Sequence, residues 1–123
     1  MVRLNTLNRD IIDNNKSSIF DAARNDDPAA LSNAIESGQT LNDIEDRGNM
    51  MTPMHIACIF RSEKFLDATR NYDFDPWIRD ISDRLSIDHA RAQHLTKAQE
   101  MLFERLYPGG LALDTVVPLN EPN

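Results

Sequence analysis

Thr52-Pro53-Met54-His55-Ile56-Ala57 is the stretch on which the reading of this chain turns. A threonine side chain can cap the free amides of a helix start, and proline is at home in the first helical position, where its missing N–H has no partner to lose. Met54, Ile56, Ala57 and Cys58 then supply a short apolar helix. Thirty-three residues further on, Leu85-Ser86-Ile87-Asp88-His89-Ala90 repeats the pattern, so that Ala90 answers Ala57. Upstream, Ile19 and Ala22 fill the same apolar and small positions, with Ala22 lying 35 residues before Ala57. The two extra residues fall in the connection before Thr52, where an insertion is tolerated.

Each copy is followed by a second helical pattern, so the sequence predicts six short helices in three pairs. The first starts at Ser17-Ser18 and runs through Ile19 to Arg24; the second opens at Asp26-Asp27-Pro28 and stops at Ser37-Gly38. The third begins at Thr52, the fourth at Ser62 and the fifth near Ser86. The sixth spans Thr96 to Tyr107, ended by Pro108-Gly109-Gly110. Hairpin-like connections are expected near residues 43–51 and 76–85, with no true sheet. Leu4, Leu7, Ile11 and Ile12 make an apolar stripe, read as a capping helix over residues 1–16. Residues 109–123, with Pro118 and Pro122, read as an extended tail laid back through Val116, Val117 and Leu119.

Composition narrows the function. The 123 residues carry 20 Asp and Glu against 13 Lys and Arg, a net charge of −7. Such a chain is a poor ligand for nucleic acid or an anionic membrane, since phosphate recognition needs concentrated Lys or Arg. The lone cysteine, Cys58, forms no internal disulfide and fits a reducing compartment. Neither a signal peptide nor an apolar run of about 18 residues stands out. The expectation is a cytoplasmic protein.

Thr52–Ala57 resembles the ankyrin signature T-P-L-H-x-A, with Met54 in the leucine position, and 33 is the ankyrin period. Ala34-Ile35-Glu36-Ser37-Gly38, followed by Asn42, resembles the second half of the same unit. Later copies depart from it: Asp73 stands in the glycine position ahead of Asp75-Pro76, and the third copy lacks Thr-Pro and carries Asp88 in the histidine position. The resemblance covers residues 17–108. It implies an all-α solenoid of about three helix-turn-helix repeats, with the two flanks as lids over its ends. Ala22, Ala23, Ala57, Cys58 and Ala90 would let helices approach closely, and Leu31, Ile35, Leu66, Met101 and Leu102 would fill the space between units.

No catalytic constellation, metal site or cofactor site is read from the sequence. His55 and Cys58 share a helix, but no further Cys or His completes a four-ligand zinc site. The resemblance makes His55 a hydrogen-bonding strut between hairpins and Cys58 a small core residue. His89 and His94 read as ordinary helix-surface residues, lacking a carboxylate at helical spacing to orient them. The run Asp73, Asp75, Asp80 and Asp83 lacks the glycine and terminal glutamate of a calcium loop. With only four glycines the chain has no phosphate-cradling loop.

What the resemblance implies is a surface for binding another protein, made of hairpin tips and the concave face of each first helix. Carried onto this sequence, those positions are Arg24 and Asn25; then Arg47, Asn49, Met50, Met51, Ile59 and Phe60; then Ile81, Ser82, Arg84, Ala92 and Gln93. The apolar members would form the centre, and Arg24, Arg47 and Arg84 the rim. A small acidic inhibitor, blocking a basic enzyme or nucleic-acid-binding site, is the alternative. Self-association remains open.

Overall fold

The computed structural model describes residues 18–109. The expected capping helix over 1–16 and nearly all of the expected tail over 109–123 lie outside the described residues. Within them the regular structure is wholly helical: α1 (Ile19–Arg24), α2 (Pro28–Glu36), α3 (Pro53–Ile59), α4 (Glu63–Ala68), a 3-10 turn (Thr69–Asn71), α5 (Ser86–Ala92) and α6 (Thr96–Leu106). The sequence expectation of six short helices without a sheet holds there.

The starts follow the local chemistry. Ser18 Oγ accepts from the amides of Phe20 and Asp21, and Asp27 accepts from Ala30 at 3.1 Å. At α3, Thr52 and His55 cap each other: Thr52 Oγ1 accepts from the His55 amide, and His55 Nδ1 accepts from the Thr52 amide at 3.2 Å. Ser62 departs from expectation. It precedes α4 without capping it, and its hydroxyl donates instead to the Ala23 carbonyl at the end of α1.

The three first helices end identically. Asp26, Arg61 and His94 each take a left-handed conformation, with φ of 55°, 57° and 58°. In each case the next amide bonds back to a helix carbonyl: Asp27 to Ala22 at 3.0 Å, Ser62 to Ala57 at 2.8 Å, Leu95 to Ala90 at 2.9 Å. These are the bonds that satisfy the last carbonyls of a helix while the chain reverses. The acceptors are the three alanines that the sequence aligns, so the 35- and 33-residue spacings are backbone spacings too.

Each reversal lays a second helix on the first, giving the pairs α1–α2, α3–α4 and α5–α6. The pairs pack in chain order, α1 on α3 on α5 in one row and α2 on α4 on α6 in the other. One continuous apolar core runs through them, from Ile19 and Leu31 through Ile56 and Phe65 to Ile87 and Leu102. Ala22, Ala23, Ala57, Cys58 and Ala90 are buried as expected, as are Leu31, Leu66, Met101 and Leu102; Ile35 is partly buried against them. Polar ties cross between pairs: the Phe65 amide donates to Asp26 at 2.8 Å, and the Asp75 amide donates to Asn42 at 2.7 Å.

Candidate functional site

Two loops project ahead of α3 and α5. In the first, the Glu45 amide donates to the Met51 carbonyl at 2.9 Å, and Gly48 and Met50 turn the chain with φ of 76° and 57°. In the second, the Asp80 amide donates to the Arg84 carbonyl at 3.0 Å around a turn in which Asp83 has φ 63°. The Ile81 amide donates to the Asn49 carbonyl at 3.0 Å, which sets the tips side by side. Both therefore behave as the hairpin-like connections expected over 43–51 and 76–85, each closed by a backbone bond rather than by a ladder.

Each loop is organised by a buried carboxylate. Glu45 accepts from Arg24 Nη2 at 2.6 Å and Asn49 Nδ2 at 3.3 Å, and pairs with Arg47 Nε at 3.3 Å. Burial opposes its ionisation, but the Arg24, Asn49 and Arg47 contacts outweigh that and hold it below the usual carboxylate range. Asp80 accepts from the amides of Ser82 at 2.9 Å and Arg84 at 3.0 Å, and from His89 Nε2 at 2.7 Å. The balance is the same: desolvation pushes Asp80 up, and His89 with the two amides brings it below its ordinary value.

Asp80 is buried at the base of its hairpin. One expectation is thereby corrected: His89 is not an ordinary surface residue, since a carboxylate does orient it, supplied by the loop nine residues upstream rather than at helical spacing. His94 is exposed, in the turn after α5.

His55 is buried and spans the two loops. Nδ1 faces Thr52, and Nε2 donates to the Arg84 carbonyl at 2.9 Å, so the neutral ring carries its proton on Nε2. Both nitrogens are thus engaged by the protein. Desolvation, exceeding the pull of the Arg84 carbonyl and of Asp80, lowers the affinity of His55 for a second proton. Burial also pushes the Cys58 thiol up to about 12, far from the thiolate that nucleophilic chemistry requires. Among the described residues no group of three or more His, Cys, Asp or Glu side chains could hold a metal ion.

The expected binding residues fall into two rows instead of one patch. At the tips, Met50 is 49% exposed and Ile81 64% exposed, beside exposed Ser82 and Arg84 and half-buried Asn49. Met51 is turned inward and packs on the core. At the far end of the first helices, Asn25, Phe60 and Gln93 occupy the equivalent C-terminal position of α1, α3 and α5. Phe60 is 53% exposed, with half-buried Ile59 before it; Ala92 is exposed beside Gln93. Seven helical residues, about 10 Å of rise, separate the rows. Of the three rim arginines, Arg24 and Arg47 share Glu45, while Arg84 makes no ion pair among the described residues.

A further groove of about 260 Å³ opens between α4 and α6 over Leu66, Ala98 and Met101. Its walls alternate Lys64, Arg70 and Lys97 with Glu63 and Asp67, so it presents no single sign of charge.

The chain matches no protein-family model and no curated protein. Among the described residues no helix is long and apolar enough to cross a membrane.

Proposed function

We propose that the chain is an ankyrin-repeat array of three units that binds a partner protein through its hairpin tips and the exposed ends of its first helices. The observation that carries this reading is the pairing of Met50 and Ile81. Two large apolar residues stand exposed at the tips of adjacent loops, outside the core, with the Ile81 amide bonded to the carbonyl of the residue before Met50. Such a patch tends to mark a binding surface, and methionine adapts to varied partners. The helical pairs, the shared turns and the His55 strut support the repeat assignment.

The test is capture of partners from the source cell on the tagged full chain, beside a Met50→Ser, Ile81→Ser double variant. A protein held by the wild type and lost from the variant, with thermal melting unchanged, is the expected result. A partner retained equally by both would remove the tips from the site. The net charge of −7 favours one second reading, an inhibitor of a basic enzyme or channel. In that case the captured partner is an enzyme whose block weakens steeply with salt.

A further inference from the structure

His55, Asp80 and His89 form a cluster that the binding reading leaves unused. The His55 and His89 rings meet edge to face at 5.7 Å, and both reach the loop at 80–84, His55 through the Arg84 carbonyl and His89 through the Asp80 carboxylate. No Lys or Arg among the described residues pairs with Asp80. The loop so held carries Ile81, whose amide is bonded to Asn49 beside Met50. We propose that this cluster is an acid-sensitive clasp, which locks the two hairpin tips together while His55 is neutral and loosens them when it takes a second proton.

The inference rests on the binding role assigned to the tips and adds the regulation of that site. Its physical basis is the donor and acceptor inventory of one ring. Neutral His55 accepts from the Thr52 amide on Nδ1 and donates to Arg84 from Nε2, a bridge from the cap of α3 to the next loop. A proton added at Nδ1 converts that acceptor to a donor, so the bond from the Thr52 amide is lost and Nδ1 can only donate, to the Thr52 hydroxyl 2.9 Å away. The charge created is buried, which is costly without a counter-charge of its own. Of the elements around it, α5 contributes His89 and the loop before α5 contributes Asp80, already engaged by His89. On the other side, α1 carries Arg24, paired with Asp21 of the same helix and with Glu45. Of these, Asp80 pulls toward a charged His55, but by less than burial opposes it.

A histidine that resists protonation in the fold contributes stability above its unfolded pKa of about 6.5, and that contribution is lost as pH falls through the folded value. The clasp is therefore closed at neutral pH and opens in acid.

The experiment is amide hydrogen exchange on the full chain between pH 7.5 and 5.0, corrected for the intrinsic pH dependence of exchange, with Ile81 and Thr52 as reporters and Leu66 as core reference. Protection at Ile81 and Thr52 should fall about tenfold or more relative to Leu66. His55→Gln supplies a side-chain N–H for Arg84 and an oxygen for the Thr52 amide but does not titrate in this range. It should hold protection level across the same interval. Unchanged protection in the wild type overturns the proposal, and so does an equal loss in wild type and His55→Gln. No partner enters this measurement, so its failure is distinct from failure of the binding assignment.

Discussion

His55 and Arg84 lie 29 residues apart and are joined at 2.9 Å by a bond from an imidazole nitrogen to a main-chain carbonyl. That one contact ties the start of α3 to the loop that launches α5, so it measures how strongly adjacent helical pairs are coupled. Removing the ring leaves the buried Thr52 amide without a partner, a loss of about 1–3 kcal/mol, and leaves the Arg84 carbonyl with the Asp80 amide alone. His55→Ala should therefore lower the unfolding free energy by roughly 1–3 kcal/mol, after relaxation and water entry recover part of the total. His55→Gln should recover much of the loss. Chemical denaturation of the three proteins checks both; equal stability of His55→Ala and wild type would show the bridge to be incidental.

The pH profile of stability should have two steps. Depression of His55 predicts a first decline as pH falls below about 6.5. Glu45 and Asp80 are both held below their ordinary values, so their contributions persist above about pH 4 and vanish as pH falls through the lower folded values. Denaturation from pH 8 to pH 3 should find a plateau, a shallow fall and then a steep one. His55→Gln should abolish the first step and keep the second.

Arg105 holds the far side of the fold. Its guanidinium donates to the carbonyls of Tyr72, Thr69 and Arg70 at 3.0, 3.4 and 3.1 Å, and lies 4.4 Å from the Phe74 ring centroid. It thus closes the turn after α4 from the last helix. A lysine offers a compact charge and no fork, so it cannot reach three carbonyls at once. Arg105→Lys should destabilise measurably and Arg105→Ala by about 1–3 kcal/mol, both read by thermal melting. A neutral outcome for Arg105→Ala would mean that water replaces the clamp at no cost.

The helical course of the described chain is legible in the sequence because its signals are local. Thr52-Pro53, Asp27-Pro28 and Ser37-Gly38 punctuate the backbone by their own stereochemistry, and the alanines at 22, 57 and 90 mark the period. The clasp is not legible in the same way. Glu45 and Asp80 sit in polar stretches that look solvated, and nothing in the local pattern says that a loop folds its carboxylate inward. The role of His89 escapes a sequence reading because its partner is set by the path of the preceding loop, not by helical spacing. Arg105 meets carbonyls 33 to 36 residues away, and main-chain acceptors have no sequence signature at all. The candidate surface is half legible: Met50, Phe60 and Ile81 are exposed as the resemblance implies, but the distance between tips and helix ends depends on three-dimensional placement.

Phe60 separates a surface role from a core role. It follows the last residue of α3 and is 53% exposed, while Phe65 five residues later is fully buried. Phe60→Ala should shift stability by no more than about 0.5 kcal/mol. Phe65→Ala should cost about 3–5 kcal/mol, enough to unfold so small a fold. In a complex that uses the helix-end row, Phe60→Ala should weaken affinity by about 2 kcal/mol, and Arg84→Ala at the tips should act more through on-rate and salt dependence. A large fall in melting for free Phe60→Ala would return that side chain to the core.

The three left-handed turns give a prediction in opposite directions. His94, Arg61 and Asp26 occupy the same backbone position, where a residue with a Cβ is strained by roughly 1–2 kcal/mol and glycine is not. Only the side chains differ in what they do. His94 is exposed and its ring makes no hydrogen bond among the described residues, whereas Asp26 accepts from the Phe65 amide at 2.8 Å and Arg61 donates to the Gln93 carbonyl at 2.6 Å. Glycine at position 94 relieves strain and loses no bond, at the cost of greater freedom in the unfolded chain. His94→Gly should therefore stabilise by about 0.5–1 kcal/mol. At position 26 the same relief is offset by leaving the Phe65 amide, in the first turn of α4, without its partner, so Asp26→Gly should be neutral or destabilising. Melting curves for both variants decide the matter. If both gain equally, the Asp26–Phe65 bond adds nothing to the packing of α1's turn on α4.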